Sequence, residues 1–226
     1  MIDKTYGYRR FTPEEYDFTV DEGLQAGDIY KDVSLQTLDG ETVRLSDYLG
    51  NRPLVLETGS MTCPMYAQSV PPMMKLIEKY PELDHILMYV REAHPGELQP
   101  QHRSAAEKVE AARKTKRRYR DRRTILVDDV NGSAHRFYGA MPNSIFVIAP
   151  DGTILFRSIW NNADDMDAIL GAIARGEPVQ SRELKAVPPF SIRAVGTLFM
   201  GGVVAIWDFV RGLRRLVANH KKVGNM

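Results

Sequence analysis

Leu54-Val55-Leu56-Glu57-Thr58-Gly59-Ser60-Met61-Thr62-Cys63-Pro64 decides how the chain is read. Its first half is short, apolar and β-compatible, as expected of a strand buried on both faces. Gly59 ends the strand, and Pro64 suits the first turn of a helix. The only cysteine in 226 residues therefore sits at a strand-to-helix turn. A thiol attacks as thiolate, and the free N–H groups and dipole of a helix start favour negative charge there. Ser60 and Thr62 supply hydroxyls for the sulfur or a moving proton, and the carboxyl end of a strand is where α/β sheets bind ligands. The competing reading is an inert core cysteine.

Around this turn the pattern is regular. Val33, Leu35, Val43 and Leu45 alternate about Leu38-Asp39-Gly40 and predict a hairpin ahead of the first core strand. Met65, Val70, Met73, Met74 and Ile77 predict a helix after Cys63, kinked at Pro71-Pro72. Buried strands follow at His85 to Val90 and Thr124 to Asp128, with a helix from Ser104 to Asp121 between them. A last hairpin turns at Pro150-Asp151-Gly152, before a helix from Ala163 to Ala174. The expected class is α/β, a mixed central sheet flanked by helices with an amino-terminal β-hairpin and a carboxyl-terminal apolar and basic helix.

Three segments are expected: a lead-in over 1–26, a core domain over 27–176, and a linker with a helical tail over 177–226. The lead-in carries little evident chemistry, with Thr12 and Glu15 as a capping box. In the tail, Ala194 to Trp207 is uncharged but shorter than the roughly 20 residues needed to span a bilayer, so a docked helix is expected. Composition fits a soluble globular protein, with 43% hydrophobic and 26% charged residues and a net charge of +1. One cysteine excludes a disulfide-stapled domain, and Met1 to Tyr6 lacks the apolar core of a signal peptide, so the cytoplasm is the expected compartment.

A strand-turn-helix with a cysteine at the turn is a thioredoxin-like arrangement, and Met141-Pro142 stands where such proteins place a cis-proline facing the cysteine. A dithiol would need a second cysteine three residues on, where Tyr66 stands. An oxidised Cys63 must therefore be resolved by an external thiol. Tyr66 and Pro142 are the expected substrate contacts.

Gly59-Ser60-Met61-Thr62-Cys63-Pro64 also resembles the active-site segment of iodothyronine deiodinases, which carry selenocysteine at the position of Cys63. Tyr89-Val90-Arg91-Glu92-Ala93-His94, Gln99-Pro100-Gln101-His102-Arg103-Ser104 and Tyr138-Gly139-Ala140-Met141-Pro142 continue the similarity in order, over roughly Asp32 to Ala174. The resemblance implies a thioredoxin-like fold and thiol-dependent reductive removal of iodine from an aromatic ring. It makes Cys63 the nucleophile, Ser60 and Thr62 its hydroxyl neighbours, Glu92 and His94 a proton relay, and His102 a second proton donor or substrate contact. Four departures stand beside it. Sulfur replaces selenium, and Met61 replaces a second cysteine found in some members. Ser144 falls where the family's hormone-gripping arginine is expected, and the family's amino-terminal anchor has no counterpart.

Two other functions fit the residues. In a one-cysteine peroxiredoxin, Ser60 would replace the usual threonine, and Arg123 or Arg136 would be the arginine. In a non-catalytic binding module, Ile192 to Val217 would dock a second copy of the chain or a membrane surface, through Phe199, Ile206, Trp207, Phe209 and Val210. No cofactor or metal is expected, since no His or Cys pair has ligand spacing. The basic run Arg113 to Arg123 reads as a solvated helix face rather than a nucleic-acid site. His85 and His135 are assigned no role. The expected partners are a small-molecule substrate and an external thiol or thioredoxin-type reductant.

Overall fold

The computed structural model describes residues 6–16, 18, 22–186 and 192–223. Strands β1 (Ser34–Gln36) and β2 (Thr42–Arg44) form the predicted hairpin, followed by β3 (Leu54–Gly59), helix α1 (Pro64–Lys79) and β4 (Asp84–Tyr89). Helix α2 (Ala105–Tyr119), β5 (Thr124–Val127), the short α3 (Ser133–Phe137), β6 (Ile145–Ile148), β7 (Ile154–Ser158) and α4 (Ala163–Ala174) complete the core. The tail is α5 (Ile192–Gly201) and α6 (Val203–Lys222). One seven-stranded sheet runs in the order β2-β1-β5-β4-β3-β6-β7. Strands β3, β4 and β5 are parallel, β6 pairs antiparallel with β3, and β7 pairs antiparallel with β6 and so runs in the direction of β3.

Every residue of β3 is buried, and alternate side chains go to opposite faces as the pleat demands. Leu54 and Leu56 pack with Leu35, Leu45 and Phe146 on one side, while Val55 packs with Leu87, Val70 and Met73 of the other. Layers on both faces explain why Leu54, Val55 and Leu56 are all apolar, while the buried Glu57 that follows is paired with Arg123.

Local differences from the sequence reading have physical reasons. Helix α1 runs without a break through Pro71 and Pro72; both prolines lie at its half-buried outer side, while Val70 and Met73 hold it on the sheet. Thr12 makes no side-chain cap, and Pro13–Glu15 is a single 3-10 turn. By contrast Ser104 does cap α2, accepting the Glu107 N–H at 3.2 Å. The Met141–Pro142 bond is trans.

The tail returns to the core. The Glu97 carboxylate caps α6 by accepting the N–H groups of Val203 and Val204, and the Leu98 N–H donates to the Gly201 carbonyl at 3.1 Å. This contact needs glycine: a Cβ on Gly96 would lie 2.1 Å from the Gly201 carbonyl oxygen. The five tail residues expected on one apolar face are split. Phe209 is buried, whereas Phe199, Trp207 and Val210 are exposed, because positions two apart on a helix point nearly opposite ways. No described helix is long and apolar enough to cross a membrane.

Candidate active site

Gly59 closes β3 because nothing larger fits: a Cβ there would lie 2.6 Å from the Tyr66 ring. The chain then turns through Ser60–Thr62, and Cys63 becomes the N-cap of α1, its Sγ accepting the Tyr66 N–H at 3.5 Å. The hydroxyls beside it do not point at the sulfur. Ser60 Oγ accepts the Ala93 N–H at 3.2 Å, and Thr62 Oγ1 accepts the His94 N–H at 3.1 Å. Thr62 also donates its N–H and hydroxyl to Glu92 Oε2, at 2.9 and 2.6 Å. Both residues therefore stitch the cysteine turn to the loop after β4 that carries His94.

Glu92 is the hub behind this seam. Its fully buried carboxyl also accepts the Tyr89 hydroxyl, and His102 Nε2 lies 3.4 Å from its Oε1. Burial pushes Glu92 above the usual carboxylate range and His102 down to about 3, so both groups are driven toward their neutral forms. The second histidine thus belongs to the support of Glu92 and is absent from the wall around Cys63.

That wall encloses a cavity of about 220 Å³. Cys63, His94, Pro142 and Trp160 line it from the core; Phe11, Tyr16 and Phe18 come from the lead-in, and Phe209, Leu216 and His220 from α6. His94 packs its ring against Phe11 and Phe209, with centroids 4.3 and 5.6 Å away, and its Nδ1 has no hydrogen-bond partner. Burial holds this imidazole down to about 3. Cys63 is 1% exposed. Burial pushes its thiol up to about 12, outweighing the Tyr66 and Met65 N–H groups that favour the thiolate. The helix start favours the thiolate, but desolvation outweighs it.

Three expected participants lie elsewhere. Tyr66 is fully buried with its hydroxyl donating to Asp121 at 2.9 Å, so it faces away from the cavity. Arg123 is buried in ion pairs with Glu57 and Asp121, and Arg136 is likewise absent from the cavity wall.

The lead-in residues escaped the sequence reading, as did Leu216 and His220 of the tail, whereas Phe209 was expected on a docking face. The signal for the lead-in was its aromatic spacing, and the structure shows its use. The Arg91 guanidinium sits 4.9, 5.0 and 5.1 Å from the ring centroids of Tyr6, Tyr8 and Tyr16, and Tyr8 donates its hydroxyl to the Ala93 carbonyl at 2.8 Å. Cation–π contacts of this kind contribute about 0.5 to 2 kcal/mol each. They fix the lead-in over the loop bearing His94. Trp160 and His220 had no local signal, since only the fold brings them to the cysteine.

Comparison with known proteins bears on the family and the fold. A sequence model described as iodothyronine deiodinase matches residues 15–161. Human thyroxine 5-deiodinase is 33% identical over 128 residues, covering 52% of this chain and 41% of that protein. Bovine type II iodothyronine deiodinase is 38% identical over 64 residues, covering 27% and 24%. The matched part is thus about two-fifths of the length of the human relative. Among solved structures, the thioredoxin domain of a thiol-disulfide oxidoreductase from Bacteroides vulgatus superposes with a TM-score of 0.52 at 12% identity, covering 67% of this chain and 99% of that one. A hypothetical protein from Sinorhizobium meliloti 1021 gives 0.55 at 14% identity, covering 72% and 93%. The fold is thioredoxin-like, and the chain belongs to the iodothyronine deiodinase family.

Proposed function

We propose that this protein is a thiol-dependent oxidoreductase that removes iodine reductively from an aromatic ring, with Cys63 as nucleophile. The observation that carries the reading is the meeting of Cys63 and His94 on the wall of one aromatic cavity. Both groups rest uncharged at neutral pH. Neutral His94 therefore takes the thiol proton as the sulfur attacks iodine, and returns it to the ring carbon as the carbon–iodine bond breaks. The step balances as thiol plus aryl iodide giving sulfenyl iodide plus arene. An external thiol then displaces iodide from sulfur to leave a mixed disulfide, and a second thiol frees Cys63. Since no other cysteine is present in the sequence, both reducing equivalents come from outside.

Glu92, Thr62 and Ser60 act as positioning residues, holding the His94 loop against the cysteine turn. Peroxide reduction is the weaker reading, because it calls for a cation beside the thiol. No Arg or Lys stands among the described residues lining the cavity. With dithiothreitol and an iodinated aromatic substrate, the protein is expected to release iodide in step with dehalogenated product. Consumption of hydrogen peroxide without iodide release would refute the assignment.

A further inference from the structure

The described cavity wall contains no Asp, Glu, Lys or Arg. A carboxylate or ammonium brought into it would lose water and gain no charged partner, a transfer that costs several kcal/mol or more. The volume of about 220 Å³ is also small. A cavity of about 150 Å³ holds benzene, whereas pockets for drug-sized ligands run from roughly 300 Å³ upward. Space and charge in this wall together suit one substituted ring that carries no charge.

The polar atoms are as selective as the apolar ones. His220 Nδ1 and Trp160 Nε1 are both buried without a hydrogen-bond partner. Their rings are neighbours, 5.3 Å apart, and Phe18 packs against both, 4.6 Å from His220 and 5.0 Å from Trp160. An indole N–H only donates, while a bare imidazole nitrogen accepts. A hydroxyl is the group that can satisfy both. Burial lowers the basicity of His220, which keeps it in the neutral form that has a bare nitrogen.

We propose that the substrate is an uncharged single-ring halogenated phenol, whose hydroxyl accepts from Trp160 Nε1–H and donates to His220 Nδ1 while its halogen faces Cys63. The substrate class rests on the dehalogenation reading above, but the binding site for a neutral phenol does not. His220 lies on the tail helix α6, outside the region matched by the family model.

The test uses full-length Cys63→Ser protein, which binds without turning over, titrated calorimetrically with 4-iodophenol, iodobenzene, 3-iodo-L-tyrosine and thyroxine. Tightest binding of 4-iodophenol is expected. His220→Phe keeps the aromatic packing and is expected to weaken 4-iodophenol about tenfold while leaving iodobenzene unchanged; Trp160→Phe should act in the same direction. Binding of thyroxine or 3-iodo-L-tyrosine as tight as that of 4-iodophenol overturns the substrate class. Equal losses for 4-iodophenol and iodobenzene in both variants overturn the hydroxyl site. Binding of 4-iodophenol with no iodide release by the wild type would sink the dehalogenation reading and leave the phenol site standing.

Discussion

At the scale of single residues, the active-site chemistry depends on two groups that the cavity holds neutral. Alkylation of Cys63 by iodoacetamide is expected to be slow at pH 7 and to climb about tenfold per pH unit well past pH 9, since the raised thiol ionises only near pH 12. A plateau in rate below pH 9 would show an exposed, ordinary thiol. His94→Ala should lower turnover about 10²- to 10⁴-fold, the usual contribution of a positioned acid–base group, with an unchanged circular dichroism spectrum. The placement of Cys63 and His94 on one wall was legible because ordered motifs carry them, whereas Glu92, expected as the relay partner of His94, supports the cysteine turn from behind. What could not be read was their ionisation, since burial comes from Phe11, Phe18 and Phe209, which are distant in sequence. The roles of Ser60 and Thr62 were misread for the same reason: their hydroxyl partners are the backbone of residues 93 and 94.

At the scale of elements, the β3–turn–α1 unit was read almost to the residue, because a doubly buried strand and a proline at the first helical turn are strong local signals. The continuity of α1 through Pro71-Pro72 was not, since packing on the sheet carries the helix past both prolines. The roof of the cavity is built from the lead-in and α6, joined by Arg10 and Asp208, with Arg10 Nε donating to Asp208 Oδ2 at 2.9 Å. Arg215 and Glu14 form a second, exposed pair at 2.5 Å. Asp208→Ala should loosen the roof and speed alkylation of Cys63 several-fold at fixed pH. An unchanged rate would mean that access to the thiol is controlled elsewhere. In the sheet, Leu56→Ala should cost about 2 to 5 kcal/mol in urea unfolding, as for other fully buried leucines.

For the whole molecule, buried imidazoles tie stability to pH. His94 and His102 are each held down to about 3, against an ordinary value of 6.5, and His135 is also lowered by burial. Below pH 6.5 the unfolded chain binds protons that the folded chain refuses, so stability falls as the pH drops toward 3. Each unit of displacement is about 1.4 kcal/mol. The thermal midpoint should therefore decline steeply from pH 6.5 to pH 4, and His102→Gln should flatten that decline; an equal slope in the variant would contradict the linkage. The mixed sheet and its burial on both faces followed from hydrophobic patterning, but the strand order and the closure of the lead-in and tail over the cysteine did not. That closure rests on side-chain contacts such as the Glu97 cap on α6 and the Arg91 cluster, which leave no periodic trace.

In the proposed reaction Cys63 itself carries the dehalogenation. Its most direct test is the initial rate of iodide release from an iodinated phenol in dithiothreitol, compared between wild type and Cys63→Ser at equal concentration. Release that scales with wild-type protein and falls to the buffer rate in Cys63→Ser is the predicted result. Equal release by the two proteins would contradict it.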